Sequence, residues 1–247
     1  MMTDTAWLSR TRLLVGDARL ENLMKSHVLV VGMGGVGSFA AEFVCRAGVG
    51  QMTIIDGDVV DPSNRNRQLP ALSTTHGEPK VEIMAERLLA INPELKLTVI
   101  KEFVMPERVE SMLEGNPDYV IDAIDSFTPK ITFLAASYKK GLKIVSSMGA
   151  GGKVDPTQIR VADISKTYNC PFAHQVRKYL RRHDIRKGFK AVYSTELPDR
   201  NSIMLTDGTN FKKSAYGTIS YLPATFGAGV ASVAIRDLMN PAPYNPE

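Results

Sequence analysis

His27-Val28-Leu29-Val30-Val31-Gly32-Met33-Gly34-Gly35-Val36-Gly37 joins five mostly apolar residues to a cluster of four glycines. A short apolar run that ends in glycines reads as a parallel strand buried on both faces. Residues 38–45 follow with apolar side chains at helical spacing. Between strand and helix, Gly32, Gly34, Gly35 and Gly37 let the chain turn tightly and bring its backbone close to a phosphate. The helix that opens there presents N–H groups without intrahelical partners and the positive end of its dipole, both suited to an anion. By itself this loop fits an NAD enzyme as well as an ATP enzyme, and the bland alternative is a tight strand-to-helix turn with no ligand.

The same rhythm continues outward. Residues 52–55 read as a second strand ending at Asp56, whose carboxylate can accept hydrogen bonds from ribose hydroxyls, with Asp58 close behind. A helix is expected over 80–91, stopped at Asn92-Pro93, then a strand over 97–100 and a helix over 107–113 opened by Pro106. A strand over 119–123, a helix over 129–140 and a strand over 142–147 complete the series. Strands alternating with helices imply an α/β fold, a Rossmann-like, doubly wound and mostly parallel sheet. After Gly149 the pattern changes: 158–164 alternates like a half-exposed strand, 172–182 reads as a basic helix, and Asp207-Gly208 signals a hairpin turn within 203–211. The final helix is expected over 225–239. Antiparallel strands should therefore extend one side of the sheet. The whole chain, 1–247, reads as a single domain: an arm over 1–25, the nucleotide-binding core over 26–150, an extension over 151–240 with the basic helix, and a tail over 241–247.

Charged groups around the loop favour ATP. Asn64-Arg65-Asn66-Arg67-Gln68 follows the second strand, Lys80 opens the next helix, and Asp125 lies just past the fourth strand in Asp122-Ala123-Ile124-Asp125-Ser126. A triphosphate needs its charge offset and fixed donors at the reacting phosphorus, and an acid beside it can hold Mg2+. All these groups fall at the carboxyl ends of parallel strands, where open α/β sheets bind ligands.

Composition sets the remaining bounds. With 44% hydrophobic and 23% charged residues in 247, a globular protein with a sizeable core is expected. No apolar run is long enough to span a membrane and the start has no leader pattern, so no membrane partner is expected and the cytoplasm is the expected location. The net charge of +4 permits an acidic partner without requiring one. The two cysteines make no disulfide framework: Cys45 falls on an apolar helix face and reads as core, and Cys170 precedes Pro171 at the start of the basic helix.

The order Gly-x-Gly-Gly-x-Gly, Asp56-x-Asp58, Asn64-x-x-Arg67-Gln68, Lys80 and Asp125 resembles the ubiquitin-activating-enzyme-like superfamily, which includes ThiF, MoeB and HesA. That resemblance runs from about Arg10 to Asp155, with a weaker echo in the last helix. It implies adenylation of a carboxylate with release of pyrophosphate: Asp56, with Asp58, at the ribose; Asn64, Arg67, Gln68 and Lys80 at the phosphates; Asp125 at Mg2+. Arg10, in Ser9-Arg10-Thr11-Arg12-Leu13-Leu14, matches an arginine that the superfamily inserts from a partner subunit, which implies a homodimer with shared sites. Relatives that activate carrier proteins usually carry two CxxC pairs for zinc; two cysteines cannot supply them, so no zinc of that kind is expected.

Further stretches resemble the tRNA threonylcarbamoyladenosine dehydratases within that superfamily: Phe103-Val104-Met105-Pro106-Glu107, Tyr119 through Ser126, Gly149-Ala150-Gly151-Gly152-Lys153-Val154-Asp155-Pro156-Thr157 and Thr225-Phe226-Gly227. This resemblance implies ATP-dependent dehydration of threonylcarbamoyladenosine in tRNA, with room for a monovalent cation and for a sulfur-transfer or carrier-protein partner. Arg177, Lys178, Arg181, Arg182, Arg186 and Lys187 would then form the RNA contact, since like charges stacked along a helix suit a phosphate backbone. The bland reading of those residues is a solvated charged face. Three rivals stay open at this point: adenylation of a ubiquitin-like or sulfur-carrier protein, a nicotinamide-dependent oxidoreductase, and a non-catalytic RNA-binding scaffold.

Overall fold

The computed structural model describes residues 5–205 and 214–240; the first four residues, the Asp207-Gly208 turn and the 241–247 tail lie outside them. In chain order the elements are α1 (Ser9–Val15), α2 (Asp17–Lys25), β1 (His27–Val31), α3 (Gly37–Arg46), β2 (Gln51–Ile55), α4 (Lys80–Ile91), β3 (Lys96–Ile100), α5 (Val109–Met112), β4 (Tyr119–Asp122), α6 (Phe127–Lys139), β5 (Ile144–Ser147), β6 (Ile159–Asp163), α7 (Pro171–Leu180), β7 (Lys190–Ser194), β8 (Ile203–Leu205), β9 (Ser214–Tyr216) and α8 (Tyr221–Met239).

Seven strands form one sheet in the order β3-β2-β1-β4-β5-β7-β6, and β8 and β9 form a separate antiparallel pair. Every neighbour pair in the large sheet is parallel except β6 with β7. The chain reverses direction of winding at β1, so the crevice outside its carboxyl end is the place for a ligand. β1 is apolar throughout because both of its faces are covered: Val28 and Val30 pack with α3, α4 and α8, while Leu29 and Val31 pack with α5, α6 and α7. Among the described residues no helix is long and apolar enough to cross a membrane.

Several expectations are corrected. The expected antiparallel extension is present but is a single strand of the large sheet: β7, next to the edge, runs parallel to β5, and β6 pairs antiparallel with it. The basic helix stops at Leu180 rather than Arg182: residues 181–183 form a 3-10 turn, Asp184 takes a left-handed conformation at φ 60°, and the Ile185 amide closes the end on the Leu180 carbonyl at 3.1 Å. The last helix starts at Tyr221, not 225, because Pro223 sits in its first turn, where its missing N–H costs nothing.

Candidate nucleotide-binding site

Tight geometry builds the glycine loop. Gly32 holds φ +89°, and a Cβ on Gly37 would lie 1.7 Å from the Gly32 carbonyl oxygen. Only glycine lets α3 start against the end of β1 in this way. Gly34 differs: a Cβ there would meet only Gln68 Nε2, at 3.9 Å. Space therefore remains over Gly34, beside the first turn of α3, where a phosphate can approach.

Asp56 anchors this loop. Its carboxylate accepts from the Met33 amide at 2.6 Å and from the Asp58 amide at 2.7 Å. Burial raises its pKa above the usual carboxylate range, and the Lys80 charge acts in the opposite direction. The carboxylate thus fixes the loop, and its remaining lone pairs can take ribose hydroxyls. Lys80 is 4% exposed, and its Nζ lies 2.5 Å from the half-exposed Asp58 carboxylate. An ammonium at the start of α4 opposes the helix dipole, and Asp58 offsets that cost.

The segment from Asn64 to Gln68 lies over the loop: the Arg67 carbonyl oxygen would be 3.2 Å from a Cβ on Gly35. Asn64 is buried, and its side-chain oxygen accepts from the Asp61 amide at 3.2 Å, leaving its amide nitrogen for a ligand. Gln68 Oε1 is buried and accepts no hydrogen bond among the described residues. The Arg67 guanidinium donates to the Ser63 carbonyl at 2.9 Å and to Asn66 at 2.8 Å. Burial lowers its pKa, while the carboxylates of Asp125 and Asp61 raise it. Asp125 is exposed on the loop after β4, directly beside the glycine loop: the Ala123 amide donates to the Val31 carbonyl at 3.0 Å. The structure thus brings Gly32, Gly34, Gly35, Gly37, Asp56, Asp58, Asn64, Arg67, Gln68, Lys80 and Asp125 to one edge.

Arg10 is not part of that group. It is exposed on α1, which packs against α2. The RNA candidates also divide. Lys178, Arg181, Arg182, Arg186 and Lys187 are exposed, with Arg182 stacked 4.3 Å above the Tyr179 ring. Arg177 is half-buried and donates to the Thr167 carbonyl, at 3.0 Å, and to the Thr167 hydroxyl. Its charge is already engaged in holding α7 to the preceding turn.

The sequence pattern of the ThiF family matches residues 8–246. The chain belongs to the ThiF family. The tRNA threonylcarbamoyladenosine dehydratase of Bacillus subtilis is 46% identical over 238 residues, spanning 94% of each chain. The Escherichia coli tRNA N6-threonylcarbamoyladenosine dehydratase solved in complex with ATP aligns with a TM-score of 0.86 at 38% identity over 97% of each chain. The same protein in complex with AMP aligns at 0.85, over 96% of each.

One element of this ThiF-family site was missed in the sequence. Asp122 and Lys130 are both fully buried and lie 2.6 Å apart. Asp122 also accepts from the Ser146 hydroxyl at 2.6 Å and the Ile124 amide at 3.0 Å, while Lys130 donates to the Ile124 carbonyl at 3.0 Å. Together they clamp the loop that carries Asp125. The available signal was Asp122 itself, an acid closing an apolar strand, which requires a buried partner.

Steric room at the loop gives a direct test. Gly34→Ala should melt within about 2 °C of wild type, because a surface-type change without lost contacts stays within about 0.5 kcal/mol. Its ATP affinity should fall about tenfold, as the methyl group fills the phosphate's space. Gly37→Ala should instead lose stability, by about 1–3 kcal/mol. Thermal melts and ATP titration check both, and wild-type ATP affinity in Gly34→Ala would place the phosphates elsewhere.

Proposed function

We infer that this chain is an ATP-dependent tRNA threonylcarbamoyladenosine dehydratase. The observation that carries the reading is the gathering of the glycine loop, Asp56, Arg67, Lys80 and Asp125 at one sheet edge, in a chain that matches such dehydratases along nearly its whole length. A carboxylate oxygen of the threonylcarbamoyl group attacks the α-phosphorus of ATP. The α–β anhydride bond breaks, and pyrophosphate leaves with the electron pair. The neighbouring carbamoyl group then attacks the activated carbonyl, AMP departs with the electrons of the C–O bond, and one proton is released. The net change is loss of water at the expense of ATP. Because both reacting groups of the second step belong to one side chain, proximity replaces a covalent enzyme intermediate, and no cysteine is needed.

Arg67 and Lys80 offset phosphate charge where it develops, and Asp56 orients the ribose. Asp125, exposed on the loop after β4 beside the glycine loop, would be the carboxylate that holds a magnesium ion. Bound there, it would add charge neutralisation at the phosphates. Arg10 acts in trans within a homodimer: it shares α1 with Leu13 and Leu14, which are 83% and 84% exposed and offer an apolar face to a second copy. The exposed cations from Lys178 to Lys187 hold the tRNA backbone. The chain works as one domain in the cytoplasm.

The test is incubation with ATP, magnesium and tRNA carrying threonylcarbamoyladenosine, followed by nucleoside mass analysis. Loss of one water from that nucleoside, dependent on ATP, is expected. Arg181, Arg182 and Arg186 changed together to Glu should raise KM for tRNA at least tenfold at physiological salt without changing ATP affinity. ATP turnover driven by a carrier protein's C-terminus, with none on tRNA, would establish the carrier-activating rival instead. Binding of NADH with indifference to Lys80 would establish the oxidoreductase.

A further inference from the structure

Among the described residues, three lysines are at least nine-tenths buried: Lys80, Lys130 and Lys153, at 4%, 0% and 4% exposure. Lys80 is paired with Asp58 and Lys130 with Asp122. Lys153 has no carboxylate within ion-pair distance among the described residues, and its Nζ makes a single hydrogen bond, to the Gly149 carbonyl at 2.9 Å. An ammonium has three donors, and burying one without an anion is costly. Burial lowers the Lys153 pKa, an effect that nearby Cys170 and Glu196 oppose. An anion placed beside the ammonium would remove that cost.

The position of Lys153 says which anion. Gly149 to Lys153 is the turn that leaves the carboxyl end of β5, and β5 stands next to β4, which stands next to β1. Strands lie about 4.8 Å apart, so this turn is about 10 Å from the glycine loop along the same sheet edge. On its other side is α7: Phe172 lies 3.6 Å from where a Gly149 side chain would begin, and its ring packs edge-on against Phe127, directly after the Asp125 loop. Lys153 therefore lies between the phosphate site and the root of the basic helix. A tRNA held along that helix, with its modified side chain reaching toward the α-phosphate, would pass this place.

The backbone around Lys153 is held from three elements. Glu196, just past β7, accepts from the Val154 and Asp155 amides at 3.0 and 2.9 Å. The Gly152 amide donates to the Gly217 carbonyl at 2.8 Å, just past β9, and Tyr221 of α8 donates to the Val154 carbonyl at 2.8 Å. Asn66, beside Arg67, donates to the Thr218 carbonyl at 2.8 Å, so the same support connects to the phosphate-binding segment. Hydrogen bonds from three elements thus hold this backbone in place, while the Lys153 ammonium is left without its full set of partners among the described residues. Such preorganisation is what a binding residue requires.

We propose that Lys153 and the Gly149–Gly152 turn form a second anion subsite, which holds the carboxylate of the amino-acid side chain on the modified adenosine and delivers it to the α-phosphate. Resting on the dehydratase reading, the subsite serves as its acceptor half. The ammonium offsets the repulsion between an incoming carboxylate and the triphosphate, two anions that must come into contact. It also gives the enzyme a way to recognise the modification itself, because an unmodified adenosine offers nothing to Lys153. No bond to Lys153 forms or breaks, and no proton leaves it.

The experiment compares two tRNAs of one sequence, with and without threonylcarbamoyladenosine, bound to the full-length protein in the presence of a non-hydrolysable ATP analogue. Wild type should prefer the modified tRNA by about 10- to 100-fold, the range for a hydrogen bond to a charged group. Lys153→Met keeps the buried stem and removes the charge. It should bind both tRNAs as wild type binds the unmodified one, with unchanged ATP affinity. A modified tRNA whose carboxylate is a methyl ester, tested on wild type, should lose the preference as well; this arm does not depend on how the variant folds. Retained preference in a folded Lys153→Met, or for the ester, overturns the proposal. If wild type is active on the modified tRNA but these results fail, the subsite alone is wrong. If wild type removes no water from that nucleoside, the dehydratase reading itself has failed.

Discussion

Lys80→Met should lower the rate of ATP-dependent water loss by about two to three orders of magnitude, the range seen when one fixed transition-state donor is removed. Methionine keeps most of the apolar stem in its buried place, so the effect isolates the charge. Stability should change little, because the partner left behind, Asp58, has a side chain 46% exposed and can be rehydrated. The loss has a second signature. The Lys80 charge opposes the burial that raises the Asp56 pKa. Without it the Asp56 pKa rises further, so a higher pH is needed to ionise the carboxylate that anchors Met33 and that is proposed to orient the ribose. The acid limb of the pH–rate profile should therefore move to higher pH in Lys80→Met. Single-turnover rates across pH measure both effects. A variant with more than about a third of wild-type activity would confine Lys80 to its pair with Asp58.

How legible this was in the sequence depended on what each feature relied on. β1 could be read directly, because burial on both faces leaves an unbroken apolar run and because glycines must follow where Gly37 meets the Gly32 carbonyl. Asp56 and Asp125 follow β2 and β4, and Arg67 and Lys80 lie on the connection that leaves β2, which also implied their meeting, since parallel strands place every carboxyl end on one edge. β7 was not legible. Lys190-Ala191-Val192-Tyr193-Ser194 opens and closes on polar residues, and its burial comes from β5, β6 and α8 packed around it. Nor could spacing reveal that Arg177 of the basic stripe is bound by Thr167. The buried lysines were hidden by number: among 30 Lys and Arg residues, nothing local marks Lys130 or Lys153 as enclosed. Their environment is tertiary, assembled from strands and turns far apart in the chain.

Lys130→Met should destabilise the protein by about 3–5 kcal/mol, the cost of leaving a buried charge without its partner. At about 2–4 °C per kcal/mol for a chain of this size, the melting temperature should fall by about 6–20 °C. Asp122 would keep its bonds from Ser146 and Ile124, but in a place with no exposure to water. The informative comparison is the double variant Asp122→Leu with Lys130→Met. Replacing a buried pair by apolar side chains of similar volume is often neutral or stabilising, so this variant should recover most of the lost melting temperature. It should not recover activity. The pair does more than neutralise itself: Asp122 holds the Ile124 amide and Lys130 holds the Ile124 carbonyl, which fixes the loop one residue before Asp125. With both contacts gone, that loop can pack stably yet place Asp125 wrongly with respect to Arg67 and the proposed phosphate site, and a shift of about 1 Å in a positioning group can cost about a hundredfold in rate. A stable double variant with wild-type activity would reduce the pair to packing alone; a stable and inactive one shows that an ion pair buried at the end of β4 is kept for the geometry of the next turn.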